Sequence, residues 1–209
     1  MPTKGFDKKY WDQNYSAPET MDCIGNAKEH VQYLKSLLLI ENVAIGSIID
    51  LGFGYGALFR EALKVFKPAR ATGLEPSRFA FDRFRLNSLK AQLYCEDVLT
   101  WSRRQKSAQF DLGICTSVFQ YIDDKSLKEI LPVLSRRVKY LYLTVPTEVE
   151  LKRQITEFKF KDPYAIHRSQ KKYQKMLSPY FTFIGSRFLE SKHFYNEKNT
   201  KFSDLLFRF

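Results

Sequence analysis

A three-layer α/β fold is the architecture this sequence predicts: a doubly wound, mostly parallel seven-stranded sheet with a C-terminal antiparallel hairpin. Three observations predict it. Between Ser47 and Pro146, short apolar runs alternate with amphipathic stretches in a strand–helix rhythm. Most of those runs are closed by glycine, by a carboxylate or by proline, which places turn-forming and polar groups at strand ends. After Pro146 the rhythm stops, and two apolar runs follow with no helix between them, as antiparallel neighbours require.

The elements follow in order. Phe6–Tyr15 reads as a short aromatic-rich helix. Asp22–Ile40 reads as a longer one, with Ile24, Ala27, Val31, Leu34 and Leu38 on one face. Ser47–Leu51 is a continuous apolar run closed by glycines, hence a buried strand. Ala57–Phe66 is helical and stops near Pro68; Ala71–Leu74 is the second strand. Ser77 is placed to cap a helix reaching about Leu89. Gln92–Cys95 and Phe110–Cys115 are the third and fourth strands. Asp123 or Asp124 can cap a helix to about Arg136, and Tyr140–Val145 is the fifth strand, ended by Pro146. Residues 163–177 read as helical. Phe181–Leu189 and Asp204–Phe209 read as the two terminal strands, joined by the polar loop 191–203.

With 209 residues the chain suits one domain with a full hydrophobic core. The expected organisation is an N-terminal helical part (1–46), a core (47–146) and a C-terminal helix with hairpin (147–209). Hydrophobic residues at 44% and charged residues at 27% exclude a disordered chain. Aromatics reach 15%, which serves either a Phe-rich core or a wide aromatic pocket. Cys23, Cys95 and Cys115 match no metal or redox spacing, and the last two are expected as small buried hydrophobes. The N-terminal segment has no apolar signal-like region, and no apolar run approaches ~18 residues. A cytoplasmic location is the expectation. The net charge of +11 is concentrated beyond Leu151. It reads as a solvated face or as a surface for an anionic acceptor, nucleic acid or anionic membrane.

The chemistry concentrates at strand ends, where open α/β sheets bind ligands. Asp50-Leu-Gly52-Phe-Gly54-Tyr-Gly56 joins a buried strand to a helix, and its three glycines let backbone approach a ligand without Cβ obstruction. A dinucleotide fingerprint needs a further glycine where Ala57 stands. Asp50 would repel a pyrophosphate yet suits an ammonium or sulfonium. Glu75, after the second strand, can accept two ribose hydroxyls. Asp97, after the third, can accept from an exocyclic amine. These sites together describe an adenosine carrying a cationic, non-phosphate tail, which is S-adenosylmethionine.

Ile48–Gly56, Thr72-Gly-Leu-Glu75-Pro76, Cys95-Glu-Asp97-Val98 and Phe110–Ile122 resemble four successive motifs of the class I S-adenosylmethionine-dependent methyltransferases of small-molecule type, over roughly residues 47–146. The resemblance implies a Rossmann-like methyltransferase fold. Gly52, Phe53, Gly54 and Gly56 would surround the methionine part, with Asp50 toward its amino group. Glu75 and Pro76 would sit at the ribose, and Asp97 and Val98 at the adenine. The backbone of Cys115 and Thr116 would approach the ammonium. Phe6–Tyr15 resembles the opening helix that closes over the cofactor in small-molecule members, with Tyr10, Trp11 and Tyr15 as its covering rings. Phe53 stands where many members carry Cys.

Methyl transfer from a sulfonium needs alignment and exclusion of water more than a base. If a base acts, His167 and Tyr121 are the candidates; His30 and His193 lie in the early helix and the late polar loop. Phe119 and Gln120 would face the acceptor. The Asn/Asp-Pro-Pro-Tyr/Phe tetrapeptide of amino-group nucleic-acid methyltransferases is absent, and Thr116-Ser-Val-Phe119 stands in its place. A small, anionic acceptor is the expectation, with Arg168, Lys171 and Lys172 as anchors. The alternatives are a protein or RNA acceptor on the basic C-terminal surface, or a cofactor-binding module without transfer activity.

Overall fold

The computed structural model describes residues 5–15, 23–84, 90–104, 108–204, 206 and 208–209. Its sheet has seven strands in the order β3-β2-β1-β4-β5-β7-β6. β1 (Ser47–Asp50), β2 (Arg70–Leu74), β3 (Gln92–Tyr94), β4 (Phe110–Thr116) and β5 (Val138–Thr144) run parallel. β6 (Phe181–Gly185) and β7 (Phe188–Ser191) form an antiparallel hairpin, and β7 pairs with β5. Strand order reverses between the parallel neighbours β1 and β4, so a crevice opens beyond their carboxyl ends.

Side-chain alternation sorts the core into two halves. Ile48, Leu112, Ile114, Tyr140 and Tyr142 pack under α2 (Ala27–Ile40) and α3 (Ala57–Phe66). Their sequence neighbours Ile49, Cys115, Leu141 and Leu143 face the opposite layer, with α6 (Asp124–Arg137) and α8 (Gln170–Leu177). Helix starts follow expected chemistry: the Ser77 and Asp123 side chains accept from Ala80 and Ser126 N–H at the heads of α4 (Arg78–Arg83) and α6. The short α1 (Lys8–Asn14) is capped by Asp7, and α5 (Val98–Ser102) by Asp97. The expected extensions to Asp22 and to Leu89 lie outside the described residues; within them α2 begins at Ala27 and α4 ends at Arg83.

Four expectations are corrected. The run Phe181–Leu189 is two strands, because the chain turns at Ser186–Arg187, where Arg187 takes a left-handed φ of 63°. The hairpin therefore lies wholly within 181–191. Asp204–Phe209 forms no sheet strand among its described residues; Phe209 instead exchanges both backbone hydrogen bonds with Phe183, at 2.7 and 3.0 Å. The helix expected over 163–177 begins only at Gln170, behind a Ser169 cap. An unexpected helix, α7 (Glu148–Phe158), is started by a capping box of Thr147 and Glu150. Cys95 is exposed rather than buried, since β3 is an edge strand that ends one residue earlier. Among the described residues no helix is long and apolar enough to cross a membrane.

The segment near Phe209 is held by charge as well as backbone. Glu190 on β7 is fully buried and accepts from Thr200 Oγ1 at 2.8 Å and from Arg208. Arg208 Nη1 also donates to Thr200 Oγ1 at 3.0 Å. Removing one partner of a buried ion pair leaves an uncompensated charge and costs about 3–5 kcal/mol. Arg208→Ala should therefore lower unfolding free energy by that amount in urea titration at pH 7, and Arg208→Ala/Glu190→Met should recover part of it.

Candidate active site

Asp50 ends β1 with its side chain 2% exposed, and Oδ1 accepts from the Gly52 N–H at 3.1 Å. Burial pushes its carboxyl up to about 8; the Gly52 bond lowers it, and the neighbouring Glu75 charge adds to the rise. Glu75 follows β2 and is 5% exposed. One oxygen accepts from Gly54 N–H and the other from Ser77 N–H, each at 2.8 Å. Burial pushes it up to about 7, against the opposing effect of those two donors. A single carboxylate thus fastens the glycine bend to the start of α4.

Gly56 sits in the bend with φ 72°, and a Cβ there would lie 1.9 Å from the Phe84 ring. Gly54, at φ 54°, brings the bend against Trp11, whose ring would stand 3.3 Å from an added Cβ. Trp11 is fixed in turn by donating from Nε1 to Ser77 Oγ at 2.8 Å. Tyr10, Trp11, Tyr15 and Tyr55 form a continuous aromatic roof, with ring centroids 4.4 to 6.1 Å apart. The roof leaves a cavity of about 120 Å³ beneath it.

One cavity brings together Asp50, Gly52, Phe53, Gly54, Gly56, Glu75, Pro76, Asp97, Val98, Thr116, Tyr10, Trp11, Tyr15 and Tyr121. Its described lining contains three carboxylates and no Lys or Arg. Asp97 also caps α5, accepting from Thr100 N–H at 2.7 Å. Cys115 does not line the cavity: alternation along β4 turns its side chain into the opposite core, fully buried.

The remaining expected residues fall elsewhere. Phe119 is packed in the core. Gln120 is buried beside it, with Oε1 meeting no hydrogen-bond partner. Tyr121 OH lies 3.2 Å from Tyr10 OH and donates to Asp162, which also accepts from Tyr10 at 3.1 Å. Burial, two neighbouring tyrosines and Asp162 hold the Tyr121 phenol far above its ordinary range, which disfavours the phenolate a base would need. His167 is exposed and lines no cavity that carries the carboxylates. Arg168 is 1% exposed: it pairs with Asp124 at 2.8 Å and donates to the Phe119 carbonyl at 3.0 Å and to that of Ile122. It is a clamp on the turn after β4, with no face left for an acceptor. Lys171 and Lys172 are exposed, and Lys172 pairs with Asp124 at 2.5 Å. Sequence reasoning missed Phe6, Tyr55, Ser117 and Asp162. Phe6, Tyr55 and Ser117 stand within segments that were singled out, but the left-handed φ of 53° at Ser117 carries no sequence signal in a non-glycine residue, and Asp162 lies in none of them.

Comparison with known proteins now adds to this geometry. The sequence profile of the methyltransferase-domain family matches residues 48–140, from β1 into β5. That stretch, which holds β1 to β4 and the glycine bend, is what is similar to a methyltransferase domain. Solved structures of methyltransferases share this chain's fold. One is an S-adenosylmethionine-dependent methyltransferase from Clostridium acetobutylicum, with TM-score 0.61, 16% identity, and coverage of 81% of this chain and 84% of that one. Another is the N-methyltransferase NodS from Bradyrhizobium japonicum, with TM-score 0.57, 15% identity and coverage of 77% and 85%. The plantazolicin methyltransferase BpumL, crystallised with a monoazolic desmethylPZN analog and SAH, gives TM-score 0.62 and 16% identity over 82% of this chain. This chain spans 66% of that enzyme's length. A search of curated protein sequences returns no significant match.

The raised carboxyls have a consequence for stability. A carboxyl whose folded pKa exceeds its unfolded value binds more protons when folded, so stability falls as pH rises between the two values. For Asp50 that window runs from 3.8 to about 8, and for Glu75 from 4.5 to about 7. Ligand-free protein should lose unfolding free energy from pH 5 to pH 8, and Asp50→Asn should flatten the slope. At pH 8 the variant should be the more stable, by on the order of a few kcal/mol. Urea midpoints at both pH values check this; a wild-type profile rising toward pH 8 contradicts it.

Proposed function

We propose that this protein transfers the methyl group of S-adenosylmethionine to a small-molecule acceptor, using the cavity at the ends of β1, β2 and β4. The observation that carries this reading is the convergence of Asp50, Glu75 and Asp97 on one aromatic-roofed cavity whose described lining holds no cationic side chain. That donor set suits a ligand bearing an ammonium, a sulfonium and a nucleoside, and the glycine bend supplies the close approach such a ligand needs. When bound, the cofactor supplies a methyl group on an already activated leaving group.

In this reading Asp50 faces the amino group, Glu75 the ribose hydroxyls, and Asp97 with the Val98 backbone the adenine. Glu75 gives one of its two loop bonds over to the ligand or shares it. Tyr10, Trp11 and Tyr15 exclude water from the reacting end, which strengthens every charge interaction below them. Tyr121 serves as a neutral hydroxyl in the Tyr10–Asp162 contact, and among the described residues no side chain in the cavity is poised as a general base. Ligand pockets commonly hold about 300–1,000 Å³, so the cofactor enters by displacing α1 from its position over Gly54. Asp50 and Glu75 are expected to lose protons as the cation arrives.

Two measurements test this. Calorimetry with S-adenosylhomocysteine should show binding that strengthens from pH 6 to pH 8 with release of protons at pH 7. Asp50→Asn and Glu75→Gln should each weaken it about 10- to 100-fold, the worth of a hydrogen bond to a charged group. Incubation with methyl-labelled cofactor and a fractionated cell extract should place label in a small molecule. Label in RNA or protein alone would move the acceptor to the basic surface, and absence of binding would remove the cofactor reading itself.

A further inference from the structure

The five parallel strands enter the sheet at the end opposite the candidate active site, and that end has a charge of its own. α2, α3 and α6 all run down to it, closing at Ile40, Phe66 and Arg137 before β1, β2 and β5. Hydrogen bonds tie the entering segments into one surface. Arg70 N–H donates to the Gly46 carbonyl at 3.3 Å, Arg70 Nη2 donates to the Gln109 carbonyl, and Gln109 Nε2 donates to the Arg136 carbonyl at 3.5 Å. Lys67, Arg70, Lys90 and Arg136 are exposed there and pair with no carboxylate among the described residues. Arg103 and Arg104 are matched by Glu129 and Glu96. Asp111, inside β4, is engaged by Lys139 Nζ at 2.9 Å and by the Gly46 N–H at 3.0 Å. Burial, then Arg136 and Arg104, lower the neighbouring Arg137 guanidinium below its ordinary range, so like charges crowd this end.

At the same end the tip of α2 is apolar. Its last turn reads Leu37-Leu-Leu-Ile40; Leu38 is buried in the core, but Leu39 and Ile40 stand 70% and 75% exposed. α2 packs beside α3, whose C-terminal cap is Lys67. A single exposed aliphatic residue is ordinary. An adjacent pair of them set among unpaired cations is the composition of a surface that rests on anionic lipid, where aliphatic groups enter the headgroup–acyl boundary and cations meet the phosphates. The carboxyl ends of the same strands carry Asp50, Glu75 and Asp97 around the cofactor cavity. One sheet therefore ends in cations on one side and carboxylates on the other.

We infer that the strand-entry end of this protein docks on an anionic phospholipid surface, with Leu39 and Ile40 inserted and Lys67, Arg70, Lys90 and Arg136 facing lipid phosphates. Charge complementarity selects the partner, and three further points favour lipid. Single-stranded nucleic acid would stack its bases on open rings. Here Phe110 and Trp101 are buried, and they lie under the guanidiniums of Arg70 and Arg137. A second copy in a two-fold contact would set these cations against themselves. Interfacial docking needs an insertion of only about 5–10 Å, which a helix tip provides without any spanning segment. The carboxylate end is repelled by the same surface, so the docked molecule keeps its cofactor cavity toward water. Docking uses no residue of that cavity and does not depend on the methyltransferase reading.

The test sediments the full chain with vesicles of one part phosphatidylglycerol to two parts phosphatidylcholine, and with vesicles of phosphatidylcholine alone. Binding to the mixed vesicles should be about tenfold tighter or more. It should fall about tenfold or more from about 0.1 to 1 M salt, as the Debye length shrinks from about 10 to 3 Å. Lys67→Gln and Arg136→Gln should each weaken it about fivefold, the usual effect of one cation at such a surface. Leu39→Ser with Ile40→Ser should weaken it about tenfold or more at low salt. Val149→Ser, at an apolar residue 59% exposed near the head of α7, should leave it unchanged. All variants should keep the thermal midpoint, and vesicle-bound protein should bind S-adenosylhomocysteine as tightly as free protein does. Equal binding to both vesicles, binding to neither, indifference to the serine pair, or loss of S-adenosylhomocysteine affinity on docking overturns the inference. So does binding of polyuridylate without vesicles, or a dimer that the serine pair dissolves. Free protein that binds no S-adenosylhomocysteine yet sediments with the mixed vesicles as described would sink the methyltransferase reading and uphold the docking surface.

Discussion

The carboxylate of Glu75 is the constraint on which the site depends. Its two oxygens take the N–H groups of Gly54 and Ser77, joining the loop after β1 to the helix after β2. Ser77 then caps α4 and accepts from Trp11, so the N-terminal helix is registered on the sheet through that same short chain of bonds. Without it, the Gly54 and Ser77 N–H groups lose their acceptor, and Ser77, which holds Trp11, loses one of its own supports. The cost is a buried carboxyl whose charge is poorly solvated, which is why burial raises it. A cationic ligand relieves that cost, so architecture and ligand preference spring from one group.

The other side of the crevice is held by an inverse arrangement. There a cation, Arg168, satisfies the carbonyls of Phe119 and Ile122 and pairs with Asp124 at the head of α6. The turn after β4 is thereby fixed between strand and helix, with Tyr121 directed at the roof. Asp162, reached from the segment after α7, closes the contact through Tyr10 and Tyr121. The crevice is thus bounded by a buried acid, Glu75, and a buried cation, Arg168, each of which fixes a turn through backbone hydrogen bonds.

Much of this was legible in the chain. Apolar runs closed by glycine or acid identified β1 and β2, and a run after the polar stretch 102–109 identified β4; the ends of those strands carry Asp50, Glu75 and Thr116. Ser77 and Asp123 announced their helices through local cap chemistry. The failures share a cause: tertiary context. Arg168 reads as a surface cation because nothing near it in sequence reveals the carbonyls it serves. Cys115 and Thr116 are adjacent, and only the facing of β4 decides which one meets the crevice. Asp162 stands 41 residues from Tyr121, so no spacing rule links them. The terminal hairpin was misplaced because apolar residues stand on both sides of Gly185-Ser-Arg187, and the turn at Ser186–Arg187 relies on a left-handed arginine.

That misplacement also bears on how copies of the molecule meet. β6 is an outer strand, and outer strands expose donors and acceptors that another chain can zip onto. Phe209 takes up the donor and the acceptor of Phe183 midway along β6, interrupting the ladder just where a foreign strand would need continuity. At the opposite margin β3 is only three residues long. Both margins of the sheet are therefore blunted, and crowding at high concentration finds no extended template for fibrillar growth.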